Sequence, residues 1–110
     1  MREAIKRGEM VYVNMGRKRD HVMSGCRPCV VVSADKGNRS SPNVTIVPMT
    51  SKRKRQETQA EVMCRVRSTV LCESIQTVSK KQIGNRIGRC TENEMREIER
   101  ALRIALGMEK

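Results

Sequence analysis

Aromatic residues are almost absent from this sequence of 110 residues. Tyr12 is the single aromatic side chain, and there is neither tryptophan nor phenylalanine. Modules that bind single-stranded RNA or DNA by stacking successive bases on an aromatic sheet need several such rings, so this class of site is excluded. A basic chain without these rings still has phosphate charge and hydrogen bonds with which to bind nucleic acid.

Long apolar runs and secretion signals are absent as well. No run approaches the ~20 residues of a membrane span, and the N-terminus has no apolar signal region. The five cysteines are odd in number, which argues against a secreted disulfide scaffold. We therefore expect a cytoplasmic protein with reduced thiols and no membrane partner. The length predicts one domain over residues 1–110, because domains most often have roughly 100–150 residues.

The common catalytic and cofactor motifs are missing too: there is no Walker loop, G-x-G-x-x-G, H-E-x-x-H or G-x-S-x-G. Cys26 and Cys29 have the C-x-x-C spacing of half a zinc site, but Cys64, Cys72 and Cys90 do not supply the other half. A redox C-x-x-C normally opens a helix, whereas this one leads into a predicted strand. We predict packing cysteines, no metal site and no cofactor.

Positive charge is abundant and unevenly distributed. The chain has 23 Lys+Arg against 12 Asp+Glu, a formal net charge of +11. Residues 91–110 carry five acids and four bases, so residues 1–90 carry +12. Such a basic body favours a polyanionic partner, namely nucleic acid, an acidic protein segment or an anionic surface.

The apolar residues are mostly β-branched, twelve Val and seven Ile against three Leu, which suits pleated strands. Strands are predicted at 10–15, 28–34, 44–49, 60–66, 69–72 and 86–90, the second buried on both faces because Cys29 to Val32 form a continuous apolar run. Residues 35–42 have the composition of a turn region, 51–59 that of a basic loop, and a short helical turn begins near Ser79.

The end of the chain has the strongest local signal. Thr91 and Glu94 form a capping box, and apolar residues then recur at helical spacing until Gly107. This pattern predicts a helix over 91–106 that packs on the sheet. The fold class is therefore β-rich α+β, a small β-barrel with a C-terminal helix.

Two strand ends carry candidate functional groups. Pro28 favours an extended backbone at Arg27, so its guanidinium is held on a rigid support where it suits either a phosphate or a carboxylate such as Glu73. Thr50 and Ser51 follow a predicted strand, and their hydroxyls suit either a phosphate oxygen or a turn cap.

Two basic runs, 17–19 and 52–55, lie in predicted loops near these groups. Such runs are solvated faces in many proteins, but here they are also placed to track an RNA backbone. His21 is the only histidine and is either a general base or an inert loop residue.

Several segments together resemble the MazF/PemK family of bacterial toxin endoribonucleases. The similarity runs from about residue 6 to 108 in the family's order. It is carried by 7–16, by 25–33 with its Arg-Pro, by Asn38 with Ser41-Pro42, by 47–51 (Val-Pro-Met-Thr-Ser), by 70–78 (Val-Leu-Cys-Glu-Ser-Ile-Gln-Thr-Val) and by the terminal segment 87–107.

The resemblance implies an SH3-like β-barrel that forms a homodimer and cleaves single-stranded RNA, often mRNA, at a short sequence without metal. Attack by the 2′-hydroxyl would leave a 2′,3′-cyclic phosphate and a 5′-hydroxyl. Arg27 matches the family's catalytic arginine and Thr50 its catalytic threonine. The implied partner is a small acidic antitoxin, whose complex with the toxin binds DNA. The expected RNA contacts are Lys18, Arg19, His21, Ser51, Arg53, Glu73, Ser74 and Gln76.

The sequence also departs from the family pattern. Val22 and Met23 replace a carboxylate and an amide before the Arg-Pro, while Ser74 and Gln76 replace a glutamine and an arginine. These changes alter the RNA-contacting groups, so either the cleavage sequence differs from that of relatives or the activity is weaker. Two alternatives follow: a non-enzymatic inhibitor of DNA gyrase on the same barrel, and a degenerate RNA-binding barrel. Fold alone does not choose among the three.

Overall fold

The computed structural model describes residues 4–16, 25–52 and 56–109, and these form seven strands and two α-helices. Two single-turn 3₁₀ helices, Cys72–Ser74 and Lys80–Gln82, connect the later strands. In chain order the elements are β1 (Glu9–Asn14), β2 (Cys26–Val31), α1 (Asp35–Ser40), β3 (Asn43–Thr50), β4 (Gln59–Cys64), β5 (Val66–Leu71), β6 (Gln76–Ser79), β7 (Ile83–Arg89) and α2 (Glu92–Ala105).

All the pairings are antiparallel, and the strand order is β4-β5-β3-β2-β1-β7, with β6 added to β3. Two strands pair with different parts of one edge of the long strand β3: β6 pairs with its first half, and β5 pairs with its last two residues. Pro48 lies in the gap between these two ladders, where a residue without a backbone N–H is tolerated. The sheet curls into a half-barrel closed by α2, which confirms the predicted β-rich barrel with a C-terminal helix.

Apolar side chains fill both sides of the central strand β2. Val30 and Val32 belong to the cluster that packs under α2, whereas Cys29 and Val31 belong to a second cluster on the opposite face. This division follows from the two-residue period of a strand, and it confirms that the run is buried on both faces.

Helix α2 confirms the predicted terminal helix and its cap. The Thr91 hydroxyl accepts from the Glu94 N–H, and the Glu94 carboxylate accepts from the Thr91 N–H at 2.8 Å. The side chains of Ile98 and Ala101, on the inner face of the helix, are fully buried. Arg7 ties this helix to the start of the chain through an ion pair with Glu99. No helix within the described ranges is long and apolar enough to cross a membrane.

The composition of residues 35–42 predicts a turn region, but six of these residues form the helix α1. Tertiary hydrogen bonds explain this helix better than intrinsic propensity does. The buried Asn38 donates to the Ser33 carbonyl at 2.9 Å, and the Asp35 carboxylate accepts from the Arg7 N–H at 2.7 Å. That hydrogen bond is also the main reason why the pKa of Asp35 is lowered.

Two further expectations need correction, and one strand is not predicted from the sequence. The turn between β4 and β5 lies at Arg65 rather than around 67–68, so β5 begins at Val66. The polar segment β6 is a strand because it pairs with β3, which its composition does not signal. Strand β7 begins at Ile83 rather than at residue 86, since it pairs with β1 through an irregular register. The helical turn predicted near Ser79 is confirmed, with its own capping box.

Candidate active site

A groove of about 400 Å³ lies where the two parts of the sheet separate. Pairing between β2 and β3 runs from Val31 to Cys29, which faces Pro48. Beyond that pair, β2 stays with β1 while β3 stays with β5, and the groove lies between them. Its described lining residues are Tyr12, Arg27, Pro28, Met49, Thr50, Ser51, Lys52, Cys64, Arg65, Val66, Ser68 and Ile87.

Arg27 and Thr50 enter this groove from its two sides. If the register of β2 and β3 is continued by two residues beyond the pair Cys29 and Pro48, Arg27 stands opposite Thr50. Because the ladder has ended there, space remains between the guanidinium and the hydroxyl. Residues 23 apart in the sequence thus face one space of small-molecule size.

The backbone of Arg27 is held by strand β2 while its side chain is exposed. Arg27 pairs with Val13 of β1, and the next residue, Pro28, pairs with Tyr12. The thiol of Cys29 donates to the Arg27 carbonyl at 3.5 Å. Burial raises the pKa of Cys29 to about 12, although the nearby Arg27 charge opposes this increase. A neutral thiol is therefore part of the support for the arginine.

The Thr50 hydroxyl has one hydrogen bond that fixes its position. Its Oγ1 accepts from the Lys52 N–H at 3.2 Å, which closes a small turn at the end of β3. This bond uses a lone pair of the oxygen, so the hydroxyl hydrogen remains to be donated to a ligand acceptor. The turn cap and the ligand-binding role, which are alternatives on the sequence alone, are compatible in this geometry.

The groove is electrostatically positive. Three cationic residues, Arg27, Lys52 and Arg65, are among its described lining residues, and none of the described ones is acidic. Arg65 stands at the β4–β5 turn with a φ of 62°, a left-handed conformation that is uncommon for a residue other than glycine. A site with this charge and these hydroxyls suits an anion with several acceptor oxygens, such as a phosphodiester.

The structure brings some of the predicted site residues together and separates others. Arg27, Thr50 and Ser51 line the groove, whereas its described lining does not include Glu73, Ser74 or Gln76. Gln76 pairs with Ile46, four residues along β3 from Thr50, which is about 13 Å in an extended strand. Lys18, Arg19, His21, Val22, Met23 and Arg53 lie outside the described residues.

Glu73 has a different setting from the one considered on the sequence. Its carboxylate accepts from the Thr58 hydroxyl at 3.3 Å and from the Gln59 side-chain amide at 3.2 Å. These bonds connect the 3₁₀ turn after β5 to the start of β4, so the carboxylate holds two segments together outside the described groove lining.

Several groove residues carry no signal in the sequence pattern. Tyr12 belongs to the alternation of β1, and Ser68 and Arg65 stand in a segment whose turn is misplaced by composition. Lys52 is the one partly foreseen, as a member of the basic run 52–55. These four residues meet in the groove because of the register in which the strands pair, and the sequence pattern does not reveal that register.

The cysteines behave mainly as packing residues, as predicted. Cys29, Cys72 and Cys90 are buried in the two apolar clusters, and Cys64 packs against one of them. Cys26 is exposed and is the exception. Its separation from Cys29 by three positions in a strand puts the two thiols on opposite faces, so the C-x-x-C spacing does not produce a chelating pair. Within the described ranges, no group of three or more His, Cys, Asp or Glu is placed to hold a metal ion.

Solved structures of the same fold are numerous. A mycobacterial endoribonuclease in complex with its cognate antitoxin is 27% identical, with a TM-score of 0.85 over 97% of this chain and 99% of that one. A second mycobacterial endoribonuclease is 25% identical, with a TM-score of 0.82 over 96% and 93%. MazF from Deinococcus radiodurans, 20% identical over 97% and 100%, has a TM-score of 0.85 and shows the shared fold.

The family model described as PemK-like, MazF-like toxin of type II toxin-antitoxin system matches residues 6–106. The match covers every strand, both helices and the whole groove. The chain therefore belongs to the PemK-like, MazF-like family of toxins of type II toxin–antitoxin systems.

Proposed function

We propose that this protein is a toxin endoribonuclease that cleaves single-stranded RNA, including mRNA, in the groove between β2 and β3. Family membership supports the toxin role, and two relatives that are 25–27% identical over nearly their whole length are endoribonucleases. The single observation that carries the assignment is the convergence of Arg27 and Thr50 on one positively charged groove.

The chemistry proposed for this groove is transfer within the RNA itself. The 2′-hydroxyl of a ribose loses its proton as its oxygen attacks the adjacent phosphorus, the bond from phosphorus to the 5′-oxygen breaks, and the leaving 5′-oxygen takes up a proton. The products carry a 2′,3′-cyclic phosphate and a 5′-hydroxyl. Negative charge develops on the phosphoryl oxygens in the transition state. The Arg27 guanidinium is a planar, permanently charged donor suited to those oxygens, and Thr50 donates its hydroxyl hydrogen to one of them.

The backbone that carries Arg27 and the Thr50 oxygen are held before the substrate arrives, and electrostatic stabilisation depends on such preorganisation. The backbone of Arg27 is held in β2, and the Thr50 oxygen is held by the Lys52 N–H. Lys52 and Arg65 add positive charge around the same space. These groups act without a metal in the proposed mechanism, and the experiment below tests that feature directly.

Further residues, inside and outside the groove, are proposed as contacts for RNA on either side of the cleaved bond. Ser51 lines the groove beside Thr50, whereas Glu73, Ser74 and Gln76 follow β5 and are not among its described lining residues. Lys18, Arg19, His21 and Arg53 complete the proposed set, although they lie outside the described residues. Sequence-specific cleavage would depend on this set, in which Ser74 and Gln76 differ from the family pattern.

The proposed partner is a small acidic antitoxin, and the proposed assembly is a homodimer. One mycobacterial relative is in complex with its cognate antitoxin, and a net charge of +11 favours an acidic peptide as it favours RNA. A homodimer has twice the 12.5 kDa of one chain, which light scattering on the purified protein would measure. A monomeric mass in dilute solution would contradict this assembly.

The direct test is digestion of a mixed pool of long RNA by the purified protein in excess EDTA, followed by sequencing of the new 5′-hydroxyl ends. We expect cleavage at a recurring short sequence with cyclic phosphate on the upstream fragments. Intact RNA together with blocked DNA supercoiling by gyrase would support the gyrase inhibitor instead. RNA binding without turnover would support the degenerate barrel, and cleavage only after metal is restored would contradict the metal-independent mechanism.

A further inference from the structure

The one aromatic residue of the chain stands in the groove rather than in the core. Tyr12 is 40% exposed, whereas its neighbours Val11 and Val13 on the same strand are completely buried. Its cross-strand partner is Pro28, the residue next to Arg27, and both line the groove. One aromatic ring is too few for a platform of several stacked bases, but it is enough for a surface that holds one base.

The surroundings of Tyr12 leave room for a ligand. On its other side lies Gly84 of β7, where a Cβ atom would come within 3.6 Å of the Tyr12 Cβ. A side chain at this position would start in contact with Tyr12, whereas the exposed glycine adds no atoms on this flank. Ile87 of the same strand and Val66 at the start of β5 add apolar surface to the groove.

Charge and apolar surface occur in this groove in the combination that a nucleotide requires. The phosphate needs the guanidinium, ammonium and hydroxyl groups at Arg27, Lys52 and Thr50, while the base needs a flat apolar face. Both requirements are met in one groove, because Tyr12 lines it together with Arg27, Thr50 and Lys52.

We propose that Tyr12 is the stacking surface for a single nucleobase of single-stranded RNA, next to the phosphodiester bound by Arg27 and Thr50. The inference rests on the proposed ribonuclease function and adds a base-binding position to it. Tyr12 is a binding residue in this account, and the ring rather than its hydroxyl makes the contact. Stacking on one ring accepts any base, so Tyr12 contributes affinity and position rather than sequence choice.

The chain carries its own probe for this site. With no tryptophan and one tyrosine, its intrinsic fluorescence comes from Tyr12 alone. A single-stranded 2′-deoxy oligonucleotide lacks the attacking hydroxyl and cannot be cleaved. Titration with it should quench the tyrosine emission with the same midpoint as binding measured by anisotropy of a labelled copy. Free N-acetyltyrosinamide corrects for absorption by the oligonucleotide.

Inorganic polyphosphate is the matched control, because it supplies phosphate charge without bases. We expect polyphosphate to compete for the groove but to leave the emission largely unchanged. Quenching by polyphosphate as strong as that by the oligonucleotide would mean that charge alone alters the fluorescence, and it would overturn the base site.

A pair of variants separates the ring from the general structure of the strand. Tyr12→Phe keeps the ring and should bind the labelled oligonucleotide within about twofold of the wild type. Tyr12→Leu keeps an apolar residue but no ring, and should bind roughly 5- to 150-fold more weakly, the range expected for one stacked base. A series of oligonucleotides, each with one abasic site at a different position, should include one position at which the wild type binds more weakly. Tyr12→Leu should not show this loss of affinity.

The outcomes distinguish this site from the ribonuclease itself. RNA cleavage with unchanged tyrosine emission on oligonucleotide binding would overturn the base site and leave the ribonuclease standing. Quenching by the oligonucleotide without cleavage of RNA would contradict the ribonuclease and keep the base site. Equal affinities for Tyr12→Phe and Tyr12→Leu, with both variants folded, would overturn the stacking role.

Discussion

The groove and helix α2 differ in charge and exposure, because the described groove lining is cationic whereas the helix carries four glutamates and three arginines. The groove combines Arg27, Lys52 and Arg65 with hydroxyl groups and remains open to solvent. Helix α2 buries Ile98 and Ala101, and its acids Glu94, Glu97 and Glu99 contact N–H or guanidinium groups of the protein itself. The difference teaches that stability and the proposed chemistry are carried by separate residues, so each can be altered while the other is measured.

One carboxylate connects the two regions. Glu94 caps α2 through the Thr91 N–H and also accepts from the Met63 N–H of β4 at 2.7 Å. Met63 lies two residues before Arg65, whose turn forms one wall of the groove. The helix therefore holds the turn in place without entering the groove.

The largest effect on the stability side is expected for Ile98→Ala. Removing a completely buried side chain beneath α2 should lower the free energy of unfolding by about 2–5 kcal/mol, since it leaves a cavity. Chemical denaturation measures this loss, and RNA cleavage per folded molecule should stay near that of the wild type. A large loss of cleavage in fully folded Ile98→Ala would show that the two regions are not separate.

Salt should weaken the binding of nucleic acid in the groove. If three cations contact three phosphates, the logarithm of the binding constant for single-stranded nucleic acid should fall with the logarithm of the salt concentration with a slope of about −2. Binding should therefore weaken roughly 20-fold between about 50 and 200 mM salt. Anisotropy titration of an uncleavable oligonucleotide measures the slope. Arg65→Ala should reduce it by about 0.7, whereas a slope near zero would contradict electrostatic binding.

Alkaline pH should lower the stability that the buried thiol of Cys90 contributes to the apolar core. Burial raises the pKa of Cys90 to about 12 from 9.0, so the folded state retains a proton that the unfolded chain loses first. This stabilisation is complete below pH 9 and is lost as the pH rises toward 12, by about 1.4 kcal/mol per pH unit for one thiol. Cys90→Ala should show a correspondingly shallower decline than the wild type, and parallel declines would contradict it.

The smallest effect concerns the connection between the regions. Glu94→Ala removes half of the capping box and the bond to Met63, and should cost about 1 kcal/mol of stability. It should also weaken oligonucleotide binding because the turn at Arg65 loses its support. Glu92→Ala, a change in the same helical turn, is the matched control. Equal binding by the two variants would show that the helix does not position the turn.

Sequence patterns predict the parts of this fold that depend on local rules. The capping box at Thr91 and Glu94 and the doubly buried run from Cys29 to Val32 are confirmed, because period and capping act over a few residues. Helix α1 and strand β6 are missed, because one depends on the buried Asn38 and the other on pairing with β3. The residues of α1 have little preference for a helix, and β6, although it contains Thr77 and Val78, is only four residues long and shows no pattern of its own.

The candidate site divides in the same way. Arg27 and Thr50 are visible in the sequence as groups at strand ends, and their motifs carry the resemblance to the family. Their convergence follows from the register of β2 and β3, which is a long-range property. Arg65 is missed because an arginine in a left-handed turn has no compositional signal, and Tyr12 is missed because a strand residue on an alternating face looks like an ordinary surface position.

The central claim is that Arg27 serves the reaction and not the fold, and Arg27→Ala tests it most directly. Cleavage of long single-stranded RNA and the free energy of unfolding should be measured on the same preparation. We expect the rate to fall by about 10²–10³, as for loss of a donor to a charged transition state, while the variant remains folded. Undiminished cleavage by the folded variant would contradict the account.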